Sequence, residues 1–369
     1  MAKLLLWIVL AGFLAIAIYS LFGARAAPGH SNIADDENVV FFRTTGWLNE
    51  DTEEWHLPIH GWIYEPQDSR ARRAIFERVL ESRYDLTTDD DTEPNFARRL
   101  NLLIADNERG KRIVISIAGR TEVLPASEPN GHFSATLTLP AEELSAFGDG
   151  ASLPFTAVTG DQEEREFGGE VRLVEPTGLS VISDIDDTVK VSHVTDRRQL
   201  LEKTFLLDFA EAPGMAETYR GWASRGASFH FVSSSPWQLY SPLTEFLDTT
   251  GFPWATLNLK LVRFRDETLF DLFKEGTETK PPIIRSILDR YPDRQFVLVG
   301  DSGEQDPEVY AELIRERPAQ IQRVYIRNVT GEAPDNERFA TIFDGIDPAR
   351  WQLFETPDGL ELPQMEAGM

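Results

Sequence analysis

The segment Gly178-Leu-Ser-Val-Ile-Ser-Asp184-Ile-Asp186-Asp187-Thr188-Val-Lys190 narrows what this chain can become more than any other. A short apolar run ends in two acids two residues apart, followed by a threonine. Residues i and i+2 of a strand point to the same side. A strand that stops at Asp184 and then turns crowds both carboxylates at its carboxyl end, where open α/β sheets bind their ligands. Acids forced together repel unless a cation or a strong donor joins them. The segment therefore reads as a Mg2+ site with a carboxylate nucleophile. Taken alone, it also fits an exposed acidic turn.

Three later segments favour the first reading. Ala227-Ser-Phe-His-Phe-Val-Ser233-Ser234-Ser235-Pro236-Trp237 is a β-rich run that ends in hydroxyls. Ser235 before Pro236 predicts a helix start, with serine as N-cap and proline at the first helical position. Lys280 stands before Pro281 at the head of a helical stretch. There it opposes the helix dipole, which suggests an anionic partner, although a lone lysine is also simply solvated. Finally, Arg294-Gln-Phe-Val-Leu-Val-Gly300-Asp301-Ser302-Gly303-Glu-Gln-Asp306 places another acid at the end of an apolar strand. Glycines flank it, and a second acid follows five residues on.

In this order the segments resemble the haloacid dehalogenase superfamily of phosphotransferases. Asp-Ile-Asp-Asp-Thr-Val-Lys, Val-Ser-Ser-Ser-Pro-Trp-Gln-Leu-Tyr and Val-Gly-Asp-Ser-Gly-Glu-Gln-Asp-Pro-Glu-Val-Tyr are similar to the catalytic domain of the actin patch protein family. The resemblance spans Gly178 to Thr330 and implies an α/β fold, a haloacid dehalogenase-like Rossmannoid parallel sheet. It also implies a Mg2+-dependent phosphatidate phosphatase with chemistry related to that of the lipins. By the same resemblance Asp184 attacks phosphorus and forms an aspartyl-phosphate. Asp186 protonates the leaving alkoxide and then deprotonates water. Mg2+ sits on Asp184, Asp301 and the backbone carbonyl of Asp186, and keeps several waters. Ser233 bonds a phosphoryl oxygen, with Ser234 adjacent in case the register slips by one. Lys280 offsets negative charge, and Asp306 orients Lys280 or a metal-bound water. Thr188 caps the turn after the nucleophile, while Lys190 either reaches the pocket or lies in solvent.

Spacing bears on access. Between Asp184 and Ser233 there is room for two helices, near Asp196–Leu207 and Pro213–Ser224. Between Ser233 and Lys280 there is room for one helix after Pro236 and a strand-like Thr256–Phe264. Neither interval holds a large cap, and an open site suits a bulky substrate such as a phospholipid at a membrane surface. Lys260, Arg263 and Arg265 along that run either meet an anionic headgroup or form an ordinary exposed face.

Composition closes other routes. The formal charge of −25 argues against nucleic acid as a partner. Residues 181–330 hold 23 acids against 18 bases, so most of that charge lies elsewhere and an anionic substrate is tolerated. With no cysteine, disulfides and thiolate metal sites are excluded. His56 and His60 read as ordinary strand residues, and His193 as a neighbour of the first acid pair or a surface residue.

The amino terminus predicts an address. Leu4–Phe22 carries no charge, which is just enough length to span a bilayer. Ala24-Arg25-Ala26 offers a cleavage point after Ala26. Residues 1–27 thus read as a signal peptide or a membrane anchor. Either sends the rest out of the cytoplasm, to a periplasmic or otherwise extracytoplasmic place.

A polar linker is expected over 28–37 and a mostly β, sandwich-like domain over 38–176. Its expected strands are Val39–Thr44, Leu57–Tyr64, Arg112–Ile117, His132–Leu139, Leu153–Thr159 and Phe167–Leu173. Ser69–Ser82 and Phe96–Ile104 form a helical insertion in it. The catalytic domain is expected over 177–330 and an extension over 331–369, with a short helix across Ile346–Phe354. Two rival functions remain open: a phosphatase of a soluble ester or phosphoprotein, and a non-catalytic lipid- or protein-binding module on the same fold.

Overall fold

The computed structural model describes residues 29–148, 150–261 and 279–364. The leader with its Ala26 cleavage point, Arg263, Arg265 and the extreme carboxyl terminus lie outside those residues. Among the described residues no helix is long and apolar enough to cross a membrane.

Nine strands build the first unit: β1 (Asn38–Phe41), β2 (Thr44–Asn49), β3 (Glu54–Glu65), β4 (Asp106–Asn107), β5 (Val114–Ile117), β6 (Arg120–Val123), β7 (His132–Pro140), β8 (Ser152–Ala157) and β9 (Gly168–Val174). β3 alternates buried and half-buried residues over most of its length. It pairs with β7 along one edge, and with β2 and then β1 along the other. The strands join one continuous hydrogen-bonded sheet rather than two separate ones. Their inward side chains share a single core, as in a sandwich, with Phe41, Ile59, Ile115, Phe133, Phe155 and Val171 among them. The expected polar linker is not free. Ser31 is buried, and its backbone N–H donates to the Val158 carbonyl at 2.7 Å.

The helical insertion forms α1 (Arg70–Tyr84), capped by Ser69, and α2 (Glu93–Leu103). Its apolar face belongs to the contact with the second unit. Phe76, Leu80, Phe96 and Leu100 pack with Leu201, Phe205 and Leu206.

The second unit is a six-stranded parallel sheet: β10 (Leu179–Ser183), β11 (Ser228–Pro236), β12 (Ala255–Lys260), β13 (Gln295–Asp301), β14 (Ile321–Arg327) and β15 (Trp351–Phe354). Its order is β12-β11-β10-β13-β14-β15. All five residues of β10 are buried, as a strand covered on both faces must be. The helices are α3 (Arg197–Phe205), α4 (Met215–Ala223), α5 (Tyr240–Thr250), α6 (Lys280–Arg290), α7 (Asp306–Glu316) and α8 (Glu337–Ile342). The chain runs outward from β10 through β11 to β12, then returns to β13 on the other side of β10. That reversal opens the crevice where such sheets bind ligands. Among the described residues no cap domain covers it.

Two local expectations fail for a shared reason. Ser235 is not a helix N-cap: β11 continues through Pro236, which faces Lys260 of β12 beyond a register shift. Sheet pairing there outweighs the helix-start signal, and α5 begins only at Tyr240. Across Ile346–Phe354 the expected helix is reduced to a 3-10 turn at Pro348–Arg350, after which β15 pairs in parallel with β14. The carboxyl-terminal extension therefore supplies the outer strand of the sheet.

The two units are bound together just after β11, around Trp237 and Tyr240. The Phe42 ring lies 4.3 Å from that of Trp237, centroid to centroid. Arg43 donates its backbone N–H to Tyr240 Oη at 2.8 Å and grips Asp248 with both guanidinium nitrogens, at 2.9 and 2.8 Å.

Candidate active site

The site begins with the end of β10. Asp184 donates its backbone N–H to the Val299 carbonyl at 2.9 Å, which fixes it between β10 and β13. The chain then turns sharply, and both Val189 and Lys190 donate to the Ile185 carbonyl. Asp187 takes up a left-handed conformation with φ of 54°. Its carboxylate accepts the backbone N–H groups of Ser192 at 2.7 Å, His193 at 2.9 Å and Val194 at 2.6 Å. The cap of this turn is therefore Asp187. Thr188, expected to fill that part, has a buried hydroxyl with no hydrogen-bond partner.

Asp186 is fully engaged. Oδ1 meets Lys190 Nζ at 2.6 Å and accepts from Ser192 Oγ at 2.7 Å. Oδ2 accepts from Ser233 Oγ at 3.2 Å and Ser235 Oγ at 3.0 Å. Burial pushes its carboxyl up, but Lys190 and the hydroxyls outweigh this and hold it down at about 2. Lys190 is thus a pocket residue and not a solvated one, with its side chain 2% exposed. Ser233 faces the site, and Ser235 reaches it as well.

Asp184 stands in the opposite condition. It is buried, and its Oδ2 has no hydrogen-bond partner. Burial raises its carboxyl well above the usual range, opposed by Lys280 and reinforced by Asp306 and Glu304. From the head of α6, Lys280 Nζ lies 2.8 Å from Asp184 Oδ1, 2.7 Å from Asp306 Oδ1 and 2.7 Å from Glu304 Oε2. Burial pulls that ammonium down, yet the three acids outweigh it and leave it raised. Asp306 thus accepts a hydrogen bond from Lys280, the contact that one of its two expected parts requires. It also accepts the Asp301 backbone N–H at 3.2 Å. Gly300 is required for that approach, since a Cβ there would stand 2.4 Å from Asp306 Oδ2.

Asp301 ends β13 across the crevice. Its Oδ1 accepts the N–H groups of Gly303 at 2.6 Å and Glu304 at 3.1 Å, while its Oδ2 is buried without a partner. Burial, then Asp306 and Glu304, raise its carboxyl as well. Asp184, Asp301, Glu304 and Asp306 each offer an oxygen within 4.8 Å of the others, which is a group able to hold a metal ion. One lysine faces these four acids. A buried unpaired carboxylate costs several kcal/mol even after relaxation, so the two unpartnered oxygens of Asp184 and Asp301 call for a cation. An all-oxygen set suits a hard divalent ion.

Sequence reasoning brought Asp184, Asp186, Ser233, Lys280, Asp301 and Asp306 to one place, and the structure joins all six. It missed Asp187, Ser192, Ser235 and Glu304. Glu304 had a legible signal as a further acid on the loop between Asp301 and Asp306. His193 is exposed, and its backbone N–H, donated to Asp187, is its contribution to the turn.

A parallel sheet with an acid at the end of a central strand and another acid across the reversal of strand order is how haloacid dehalogenase-like domains are built, and this sheet is of that fold class. Residues 179–328 match the model of the family described as phosphatidate phosphatase APP1, catalytic domain. The phosphatidate phosphatase APP1 of Saccharomyces cerevisiae is 33% identical over 168 residues, which cover 44% of this chain and 28% of that protein. An uncharacterized protein of Schizosaccharomyces pombe is 28% identical over 265 residues, covering 70% of this chain and 40% of that protein. The chain thus spans well under half the length of these relatives. A putative beta-phosphoglucomutase structure from Thermotoga maritima matches at 15% identity over 48% of this chain and 94% of that one, with a TM-score of 0.29. Phosphoserine phosphatase in apo form matches at 15% identity over 40% and 85%, with a TM-score of 0.26. Superpositions that loose add nothing to the topology itself.

Proposed function

We propose that this protein is a Mg2+-dependent phosphomonoesterase whose substrate is phosphatidate, released as diacylglycerol and phosphate. The observation that carries the reading is Asp184: a buried carboxylate at the centre of the sheet, with one oxygen unpartnered and Lys280 beside the other. In the first step Asp184 attacks phosphorus. Its new oxygen–phosphorus bond replaces the bond to the lipid alkoxide, which leaves with a proton from Asp186. In the second step Asp186 takes a proton from water, and the water oxygen displaces Asp184 from phosphorus.

Asp186 rests ionised, which is its base form. Its acid form needs a proton taken up from solvent as the ester binds, and among the described residues its partners Lys190, Ser192, Ser233 and Ser235 fix where the carboxylate points. Lys280 and Ser233 hold the phosphoryl oxygens, and Asp306 holds Lys280. Asp184 and Asp301, with the Asp186 carbonyl, would hold Mg2+, which would supply positive charge for a transfer that depends mainly on positioning and cations.

Phosphatidate as substrate rests on the family match, and the absence of a cap over the described site agrees with a lipid headgroup. Phosphate release from phosphatidate in mixed micelles, against a panel of soluble esters and with EDTA as control, tests both parts. Faster turnover of a soluble sugar phosphate would move the substrate and leave the chemistry. Full activity in EDTA would end the metal requirement. We place the activity outside the cytoplasm on the strength of Leu4–Phe22. A carboxyl-terminal reporter that works only after export checks it, and a silent reporter on a stable fusion would reject it.

A further inference from the structure

Glu304 touches Lys280, a cation that an incoming phosphoryl group needs. An ammonium has three N–H donors and no more. Lys280 Nζ donates to Asp306 Oδ1 at 2.7 Å and to Glu304 Oε2 at 2.7 Å, and it pairs with Asp184 Oδ1 at 2.8 Å. A phosphoryl oxygen that takes the donor held by Glu304 must displace that carboxylate.

The three acids are not equally free to leave. The side chains of Asp184 and Asp306 are each 1% exposed, and that of Glu304 is 25% exposed. Asp184 is anchored at the strand end, and Asp306 also accepts the Asp301 N–H. Among the described residues the Glu304 carboxylate has no hydrogen-bond or ion-pair partner except Lys280. Its backbone, in contrast, is pinned. The N–H donates to Asp301 Oδ1 at 3.1 Å, and the carbonyl accepts from Arg338 Nη2 at 3.1 Å. Arg338 also donates to the Ser302 carbonyl at 2.7 Å. Side-chain torsions alone can therefore swing the carboxylate away while the loop stays in place.

We infer that Glu304 is a displaceable stand-in for the phosphoryl group, seated on Lys280 in the resting site and expelled when a phosphate ester binds. The inference rests on the phosphatase reading above and adds a positioning residue to it. Glu304 keeps the buried ammonium neutralised between turnovers, and it weakens the hold on released phosphate by competing for the same donor.

The test compares wild type with E304Q, E304A and E304D. The binding of inorganic phosphate in the presence of Mg2+, and the binding of Mg2+ alone, are measured by calorimetry. KM and kcat are measured on p-nitrophenyl phosphate. A hydrogen bond to a charged group corresponds to about tenfold or more in affinity. E304A should therefore bind phosphate roughly tenfold tighter than wild type, with E304Q between them and E304D near wild type. KM should fall more than kcat changes, and the gain should survive high salt, which screens distant charges but not a direct contact. E304Q keeps the shape of the side chain, so it reads the effect even if E304A folds poorly. Unchanged or weaker phosphate binding by both E304Q and E304A overturns the inference. So does a large loss of Mg2+ affinity in E304Q, which would make Glu304 a metal ligand. If wild type and all variants bind no phosphate and hydrolyse no ester, the phosphatase reading falls and takes this assignment with it. Normal wild-type turnover with indifferent variants removes the assignment alone.

Discussion

Two buried lysines serve two aspartates that stand two residues apart, and their surroundings differ in kind. Around Lys190 the charges balance. It faces Asp186, and both oxygens of that acid have partners among Lys190 and three serines. Around Lys280 they do not. It is ringed by Asp184, Glu304 and Asp306, with Asp301 close by, and two oxygens of this group remain buried and unpartnered. The balanced half holds its own protonation state. The unbalanced half is finished only by something brought from outside, a cation and a phosphoryl group. Low dielectric makes both conditions matter, because it strengthens a satisfied network and penalises an unsatisfied one.

The sharpest way to break this contrast is Asp184→Asn. It keeps the shape and removes the nucleophile, so phosphate release should fall by roughly 10^4-fold or more. Circular dichroism should be unchanged, and thermal stability equal or higher, because a buried carboxylate with one oxygen unpartnered has been neutralised. A folded variant that turns over like wild type would dismiss the aspartyl-phosphate route.

The next largest effect concerns the cation. Asp301→Asn should weaken Mg2+ binding by about 10- to 100-fold. Mg2+ should raise the melting temperature of wild type, since a ligand at a hundred times its Kd adds about 2.7 kcal/mol. The variant at the same concentration should show little rise. Calorimetric titration and thermal melts check both, and equal Mg2+ responses would remove Asp301 from the site.

Lys190→Met probes the balanced half. Lys190 favours the ionised form of Asp186 and holds it at about 2 against burial. Without the ammonium, burial prevails and the Asp186 pKa rises. A base is lost when it gains a proton, so the acidic limb of the kcat profile should move to higher pH. Activity at the optimum should also fall, because Asp186 loses the ammonium that fixes its carboxylate. An unmoved limb would show that Lys190 does not set the state of Asp186.

The smallest effect on activity comes from a region with no net charge at all. His60 is lowered to about 3, first by burial and then by His132, and His132 is lowered to about 4 by burial. Their rings lie 3.1 Å apart, nitrogen to nitrogen, close to Phe42 and Trp237 where the two units meet. The native state keeps them neutral, whereas the unfolded chain protonates them near pH 6.5. Their contribution is therefore whole above that pH and is lost as pH falls toward their folded values. Urea unfolding should show up to about 2 kcal/mol of loss per histidine between pH 7 and 5. His132→Gln should flatten that slope without altering turnover at neutral pH, and an unchanged slope would mean that the pair is not buried neutral.

Much of the site was legible because its residues sit next to features that local patterns report. The apolar runs before Asp184 and Asp301 mark strands, and both acids stand at strand ends. Lys280 stands at a helix head beside prolines. What escaped was decided by partners far away in sequence. Ser235-Pro236 carries a helix-start pattern, but its neighbour is Lys260 of β12. Trp351–Phe354 is too short to declare itself a strand and becomes one only beside β14. β2 contains Gly46 and polar residues rather than an alternating pattern, and its place depends on β3 and β9. Thr188 and Asp187 are adjacent and both polar, and the fold of the following loop alone selected Asp187 as its cap.

By itself, then, the sequence determined the buried parallel sheet, the order of the reactive groups along it and the chemical type of each. Hydrophobic periodicity and turn chemistry are local and mark the strands and their ends, while the resemblance of the motifs to the haloacid dehalogenase superfamily supplied the parallel sheet. Tertiary structure decided which lysine faces which acid, that Glu304 joins the cluster, and that two carboxylate oxygens are left without partners. Those outcomes depend on distances between residues that are remote in the chain, and on the withdrawal of water that gives such distances their energy.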